Sequence, residues 1–139
     1  MHHSHRAVFF VLLAFICASC TSTNTTIHRG ALLPPAAVKV VAKEDASGDS
    51  RIRAALDKGF LQRGLVGGSR EVVAEFEDTW HWDIVMYLRF LHIRFIDAKS
   101  GQMFGDASWR QRGLHVFPSQ ESAVKELFDA LDKAGAFEK

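Results

Sequence analysis

Large aromatic and β-branched side chains concentrate in one stretch of the chain, Glu71–Gln111, which constrains the fold more than any other. It contains all 3 tryptophans and the 1 tyrosine of the sequence. Residues of these types fit the pleated, half-buried surface of a β-sheet. One clear turn and one weaker turn signal interrupt the stretch. It therefore predicts a three-stranded antiparallel meander that carries most of the domain's large apolar side chains.

The segments on either side of the meander predict the rest of the fold. Val38–Ala42 alternates like a strand, whereas Arg51–Arg63 and Gln120–Ala134 carry apolar stripes at helical spacing. Both stripes are buried at once if the two helices share one face of the sheet. We therefore expect one α+β domain over residues 38–137, a two-layer sandwich with the order β-α-β-β-β-α and a mostly antiparallel sheet. A right-handed crossover would make the first strand parallel to the second.

Turn and cap residues mark the ends of these elements. Gly64 and Gly135 stand where a left-handed residue ends a helix, and Ser119 stands at the start of the last helix. Asp97–Gly101 predicts a hairpin turn in which Gly101 takes the positive φ. A second turn or bulge is expected near Asp83.

Alternation along the meander predicts which side chains face the core. The expected inward residues are Val72, Ala74, Phe76, Trp80 and Trp82 on the first strand, Leu91, Ile93 and Phe95 on the second, and Met103, Gly105, Ala107 and Trp109 on the third. His92 and Arg94 are expected on the opposite, polar face.

The N-terminus has the order of a secretion signal. A short segment with Arg6 precedes the apolar run Ala7–Ile16, which is too short to span a bilayer, and small residues follow the run. We interpret residues 1–19 as a signal peptide. A buried N-terminal helix, or a redox or metal pair formed by Cys17 and Cys20, is the alternative, although such a pair needs a folded scaffold around it.

The end of this signal resembles the lipobox of bacterial lipoproteins. Ala18 and Ser19 are the small residues that precede the modified cysteine, Cys20, while Cys17 stands where Leu, Val or Ile is usual. The resemblance implies a diacylglyceryl thioether and an acylated amino group on Cys20. Thr21 in place of Asp favours sorting to the outer membrane, facing the periplasm. Residues 20–37, which contain Pro34 and Pro35, are then expected to be a flexible tether.

Composition excludes two kinds of chemistry. Loss of Arg6 with the signal leaves 16 basic and 16 acidic side chains, so we expect no nucleic-acid partner. Both cysteines precede residue 21, so neither a disulfide nor a thiol is expected in the domain.

The tetrapeptide Trp80-His81-Trp82-Asp83 is the first candidate site. In a strand, His81 and Asp83 share a face about 7 Å apart, and His92 on the next strand is a third candidate for acid–base work or metal binding. The alternative is two core tryptophans with a solvent-facing histidine and a turn aspartate, which we favour. A zinc site needs three or four ligands, and these residues have no recognised zinc-ligand spacing, so we expect no metal and no cofactor.

The polar face of the sheet is the second candidate. It is expected to carry a ladder of opposed charges, made by Glu75, Glu77, Arg89, His92, Arg94, Asp106 and Arg110. Phe90 and Phe104 share the parity of this face. If both rings are exposed, they mark a partner surface. The alternative is that a strand bulge turns one of them inward. A site on this ladder for an anionic headgroup or a peptidoglycan carboxylate is a further alternative.

No catalytic motif is present in the sequence, and we expect no enzyme. The chain resembles small envelope lipoproteins, and its domain is similar in outline to the N-terminal domain of the periplasmic Tol–Pal translocation protein. Those proteins bind partners, which implies a binding module with an envelope protein partner. A carrier of a small apolar or lipid ligand, in a cavity lined by Phe60, Trp82 and Phe128, is the second hypothesis. An enzyme that uses His81, Asp83 and His92 is the third.

Overall fold

A five-stranded sheet with two helices forms the domain in the computed structural model, which describes residues 21–27, 38–44, 50–113 and 117–137. The elements are β1 (Thr21–Ile27), β2 (Val38–Glu44), α1 (Ser50–Gln62), β3 (Arg70–Trp82), β4 (Met86–Asp97), β5 (Met103–Gln111) and α2 (Gln120–Lys133). The spatial order is β1-β5-β4-β3-β2. Only β2 and β3 are parallel among these neighbours. The predicted α+β class, the meander and the parallel crossover are confirmed.

The start of the sheet corrects the sequence analysis. Thr21–Ile27, assigned to a tether, is an edge strand that pairs antiparallel with β5, from Thr21 opposite Gln111 to Ile27 opposite Gly105. The polar composition suggested a linker, but threonine is β-branched and suits an edge strand. The rest of the predicted tether, the signal peptide and Cys20 lie outside the described residues.

The core lies between the helices and one face of the sheet. Its buried members include Ile52, Leu56 and Phe60 of α1, Val124, Leu127 and Leu131 of α2, and Val72, Leu91, Ile93, Ala107 and Trp109 of the strands. The ring of Phe60 meets those of Phe128 and Phe95 edge-on, with centroids 5.3 Å and 6.3 Å apart. Both helical stripes are therefore buried against the meander as predicted.

The predicted ends of the elements are confirmed. Gly64, Gly101 and Gly135 all have positive φ, near 70°. The hydroxyl of Ser119 accepts a hydrogen bond from the backbone N–H of Ser122, as expected for the first cap of α2. The two helices run in the same direction. Their C-terminal ends are joined by Arg63, whose guanidinium donates hydrogen bonds to the carboxylate of Asp132.

The hairpin of β3 and β4 extends past the helical layer. The 13 residues of β3 span about 43 Å as a strand, whereas the 13 residues of α1 span about 20 Å as a helix. β2 pairs with β3 only as far as Phe76, and β5 pairs with β4 only from Phe90 onward. The far end of the hairpin, around Trp82 and Met86, is thus a two-stranded extension of the sheet.

Candidate functional site

The sheet face opposite the helices, which we call the open face, carries the predicted charge ladder. Arg94 lies opposite Glu75 on β3, with 3.5 Å between guanidinium and carboxylate. Arg94 also lies opposite Asp106 on β5. Cross-strand pairs of this kind hold register on a solvated face, and each is worth a few tenths to about 1 kcal/mol. The expected ladder is therefore present around Arg94, whereas Arg89 has no partner on β3 because the register shifts between Thr79 and Trp80.

His92 lies at the centre of this ladder, between two carboxylates. Its Nδ1 is 3.1 Å from Glu77 and its Nε2 is 3.2 Å from Asp106. A ring N–H of His92 can donate a hydrogen bond to the carboxylate that it faces. The ring is 21% exposed, so the trio is accessible from solvent. Its geometry is that of a strand-to-strand clamp.

The side chains of Phe90 and Phe104 lie on opposite faces of the sheet. Phe90 stays on the open face, where the guanidinium of Arg110 lies 5.2 Å from its ring centroid and the His92 ring lies 6.2 Å away. Phe104 is buried because the register shifts between Phe95 and Ile96, which leaves Phe104 as an extra residue of β5. Of the two alternatives, the bulge that turns one ring inward is confirmed, and the ring is that of Phe104.

The tetrapeptide Trp80-His81-Trp82-Asp83 does not form one site. Trp80 packs partly against the core, and its indole donates to the carboxylate of Asp78. His81 is exposed and its ring contacts Tyr87 edge-on. Trp82, expected in the core, is 67% exposed because β3 continues beyond the helices that would cover it. Asp83 lies in the loop after the strand, so it does not share a strand face with His81.

The three candidate acid–base or metal residues are not brought together. His92 lies opposite Glu77, and His81 is four residues further along β3, about 13 Å away. Among the described residues, no group of three or more His, Cys, Asp or Glu side chains could hold a metal ion. The three residues proposed to line a ligand cavity are also separated, since Phe60 and Phe128 pack in the core while Trp82 is at the hairpin end.

The end of the β3–β4 hairpin is the main surface feature that the sequence analysis missed. Residues 81 to 86 are all exposed, and four of them are large and apolar: Trp82, Ile84, Val85 and Met86. We call Trp82–Met86 the apolar tip. Phe117, also exposed, lies behind it with its ring 5.2 Å from that of Tyr87. The apolar composition of this loop could have identified it from the sequence, because hairpin loops rarely consist of large apolar residues.

The opposite end of the sheet is organised by Asp97. Its carboxylate accepts hydrogen bonds from the backbone N–H groups of Lys99 and Ser100, from the Ser100 hydroxyl and from the guanidinium of Arg70 at 2.6 Å. The bonds from the Ser100 backbone and the Arg70 side chain hold the pKa of Asp97 well below its usual range. The Arg70 guanidinium also covers the ring of Phe104.

One acidic side chain links β1 to the rest of the domain. The Glu126 carboxylate on α2 accepts from the indole N–H of buried Trp109 at 2.9 Å and from the hydroxyl of Thr21 at 2.8 Å. The role of Glu126 was not predictable from the sequence, because an acidic residue on a surface helix has no obvious partner. This carboxylate fastens the first residue of the sheet to the helical layer.

Within the described part of the chain, neither helix is long and apolar enough to cross a bilayer.

The sequence matches no protein-family model and no curated protein. In structure, the chain is similar to PelC dodecamers from Paraburkholderia phytofirmans. One, a single-residue variant, has a TM-score of 0.56 and 10% identity over 86% of this chain and 99% of that chain. A second crystal form has a TM-score of 0.56 and 10% identity over 84% of this chain and 97% of that chain. A PDZ domain protein from Parabacteroides distasonis has a TM-score of 0.47 and 12% identity over 84% of this chain and 36% of its own length. At this level of identity the likeness to PelC is one of fold.

Proposed function

We propose that this chain is a lipid-anchored protein of the bacterial cell envelope, held at the outer membrane through Cys20 and facing the periplasm, and that its domain is a non-enzymatic binding module. The observation that supports a binding role is the open face. Among the described residues, five strands form this face and neither helix lies over it, and it combines the half-buried ring of Phe90 with charges of both signs.

Phe90 is the centre of the proposed binding surface. The Arg110 guanidinium and the His92 imidazole both lie near its ring, so the site offers a cation and an apolar surface together. Glu77 and Asp106 flank His92 with carboxylates. A surface of this mixed character suits a protein partner that brings its own charged and aromatic groups.

The anchor is supported by the order of the first twenty residues. Arg6, the apolar run Ala7–Ile16 and the small residues before Cys20 follow the pattern of a lipoprotein signal. Acyl chains buried at about 0.8 kcal/mol per methylene would hold the protein on the membrane durably.

The anchor is tested by the intact mass of the protein purified from membranes. We expect a mature chain that begins at Cys20 and carries the mass of a diacylglyceryl group and an acyl chain. Cys20→Ser should lose that mass and the processing, whereas Cys17→Ser, the matched control, should retain both. An unmodified Cys20 in the wild-type protein would refute the anchor.

The binding role is tested by a photo-reactive phenylalanine analogue at residue 90 of the full chain in its native envelope. We expect one dominant adduct from position 90 and none from position 58, which is exposed on α1. An adduct of twice the chain mass would identify a second copy as the partner, as in the PelC dodecamers, and would still support binding. Absence of adducts at position 90 would refute the role of the open face.

A further inference from the structure

The apolar tip and the start of β1 lie at the same end of the sheet. Ser22, Arg110 and Phe90 form one row across β1, β5 and β4. Thr21 is one residue nearer the hairpin end than this row. Cys20 is joined directly to Thr21, and consecutive Cα atoms are about 3.8 Å apart. An anchor on Cys20 would therefore emerge at the end of the domain that bears the tip.

The tip lies close to that anchor point and extends beyond it. Two strand spacings, about 10 Å, separate β1 from β4. Met86 is four residues from Phe90 on the way to the hairpin end, and one of them, Arg89, is an extra residue at a register shift. The tip thus begins about 10 Å beyond the row of Ser22 and Phe90, which is about 7 Å beyond Thr21.

Such a reach matches the depth of shallow membrane insertion. The glyceryl group of a lipidated cysteine sits among the headgroups, and interfacial segments bury their apolar face about 5–10 Å into the boundary between headgroups and acyl chains. A tip that begins about 7 Å past Thr21, the residue joined to Cys20, would reach the same boundary.

The composition of the tip fits a bilayer surface. Trp82 is the residue type that favours the interface, and Ile84, Val85 and Met86 supply aliphatic surface. Arg89 on β4 and Arg112, directly after β5, are exposed near this end of the sheet, where anionic headgroups would attract basic side chains. Asp83 sits within the tip, and its carboxylate limits insertion to the interface.

We infer that Trp82–Met86 is a second membrane contact that inserts into the bilayer carrying the Cys20 anchor and fixes the tilt of the domain. This inference rests on the proposed anchor. With two contact points at one end, the Asp97 turn faces away from the membrane and the open face stands upright, accessible from the side.

The test uses tryptophan fluorescence of the full, membrane-purified chain in vesicles of phosphatidylethanolamine and phosphatidylglycerol, with acyl chains brominated near the headgroup. Relative to unbrominated vesicles, we expect quenching of a component that Trp82→Phe removes, because Trp80 and Trp109 are shielded by the protein. The matched control is Leu61→Trp in the Trp82→Phe background. Leu61 is 64% exposed, close to the 67% of Trp82, but lies in the last turn of α1 at the opposite end of the domain.

Quenching of most of the Trp82 emission by brominated lipid, with no quenching of a tryptophan at position 61, would support the inference. Equal quenching at both positions, or none at Trp82, would overturn it. A Trp82 emission that is blue-shifted but unquenched would also overturn it, since protein rather than lipid would then cover the tip. The intact mass of the same sample reports on Cys20 separately. A lipidated chain with an unquenched Trp82 would refute the tip alone, and an unlipidated chain would refute the anchor.

Discussion

Gly59 of α1 and the Phe128 ring of α2 are so close that a Cβ added to the glycine would lie 2.1 Å from a ring carbon. The absence of a side chain at residue 59 is therefore what lets the two helices approach, and the groove between them has this contact as its floor. This contact sets the spacing of the helical layer.

We predict that Gly59→Ala destabilises the domain by about 1–2 kcal/mol. Alanine gains up to about 1 kcal/mol of helix propensity over glycine, but overpacking a core typically costs about 1–3 kcal/mol. Urea denaturation followed by fluorescence would measure the net change. Gly67→Ala is the control, because nothing lies within 4 Å of its Cβ position. A Gly59→Ala protein as stable as the wild type would show that the helices can separate at little cost.

We predict that the Asp97 turn makes stability depend on pH. The pKa of Asp97 is lowered in the folded protein, so its contribution is complete above the ordinary pKa near 3.8 and is lost as the pH falls toward the lower folded value. Asp97→Asn should therefore lower the Tm at neutral pH, and its gap from the wild type should narrow between about pH 5 and pH 2. Asp57→Asn, on the exposed side of α1, is the control. A gap that stays constant across this range would contradict the assigned role of the carboxylate.

The two histidines should respond differently to truncation. His92→Ala leaves Glu77 and Asp106 without the imidazole between them, and we expect a loss of about 1 kcal/mol. His81→Ala removes an exposed ring and should change stability by less than about 0.5 kcal/mol. Parallel urea titrations would compare them. A loss of several kcal/mol from His81→Ala would mean that its ring is needed to hold the hairpin end.

Glu126 should be worth more to the fold than its place on a surface helix suggests. Glu126→Ala leaves the indole N–H of Trp109 buried without its acceptor, which costs about 1–3 kcal/mol. Thr21→Val removes only the second bond and should cost about 0.5–1 kcal/mol. Hydrogen exchange of the β1 amides should rise in both variants. Unchanged protection of β1 would show that its pairing with β5 is sufficient alone.

The core and its turns were predictable because each follows from local chemistry. The stripe of Val124, Leu127 and Leu131 is set by helical spacing, and Gly64 and Gly101 stand where only a residue without a Cβ adopts positive φ at little cost. These signals need no knowledge of which elements lie side by side.

The rest depended on lengths and registers that sequence does not display. Phe104 is buried because one extra residue in β5 reverses its parity, and such a slip leaves no mark in composition. Trp82 is exposed because its strand is longer than the helix above it. Thr21–Ile27 is a strand because β5 offers a free edge, a property of the assembled sheet.

The edge position of β1 has a mechanical consequence if Cys20 is lipidated. The first residue of the sheet then follows the modified cysteine directly, so the domain has no slack with which to rotate away from the membrane or sample the periplasm. It would diffuse in two dimensions at a fixed height and meet partners in the same membrane at a high effective concentration. Even a contact too weak to detect between the soluble forms would then be sufficient for assembly.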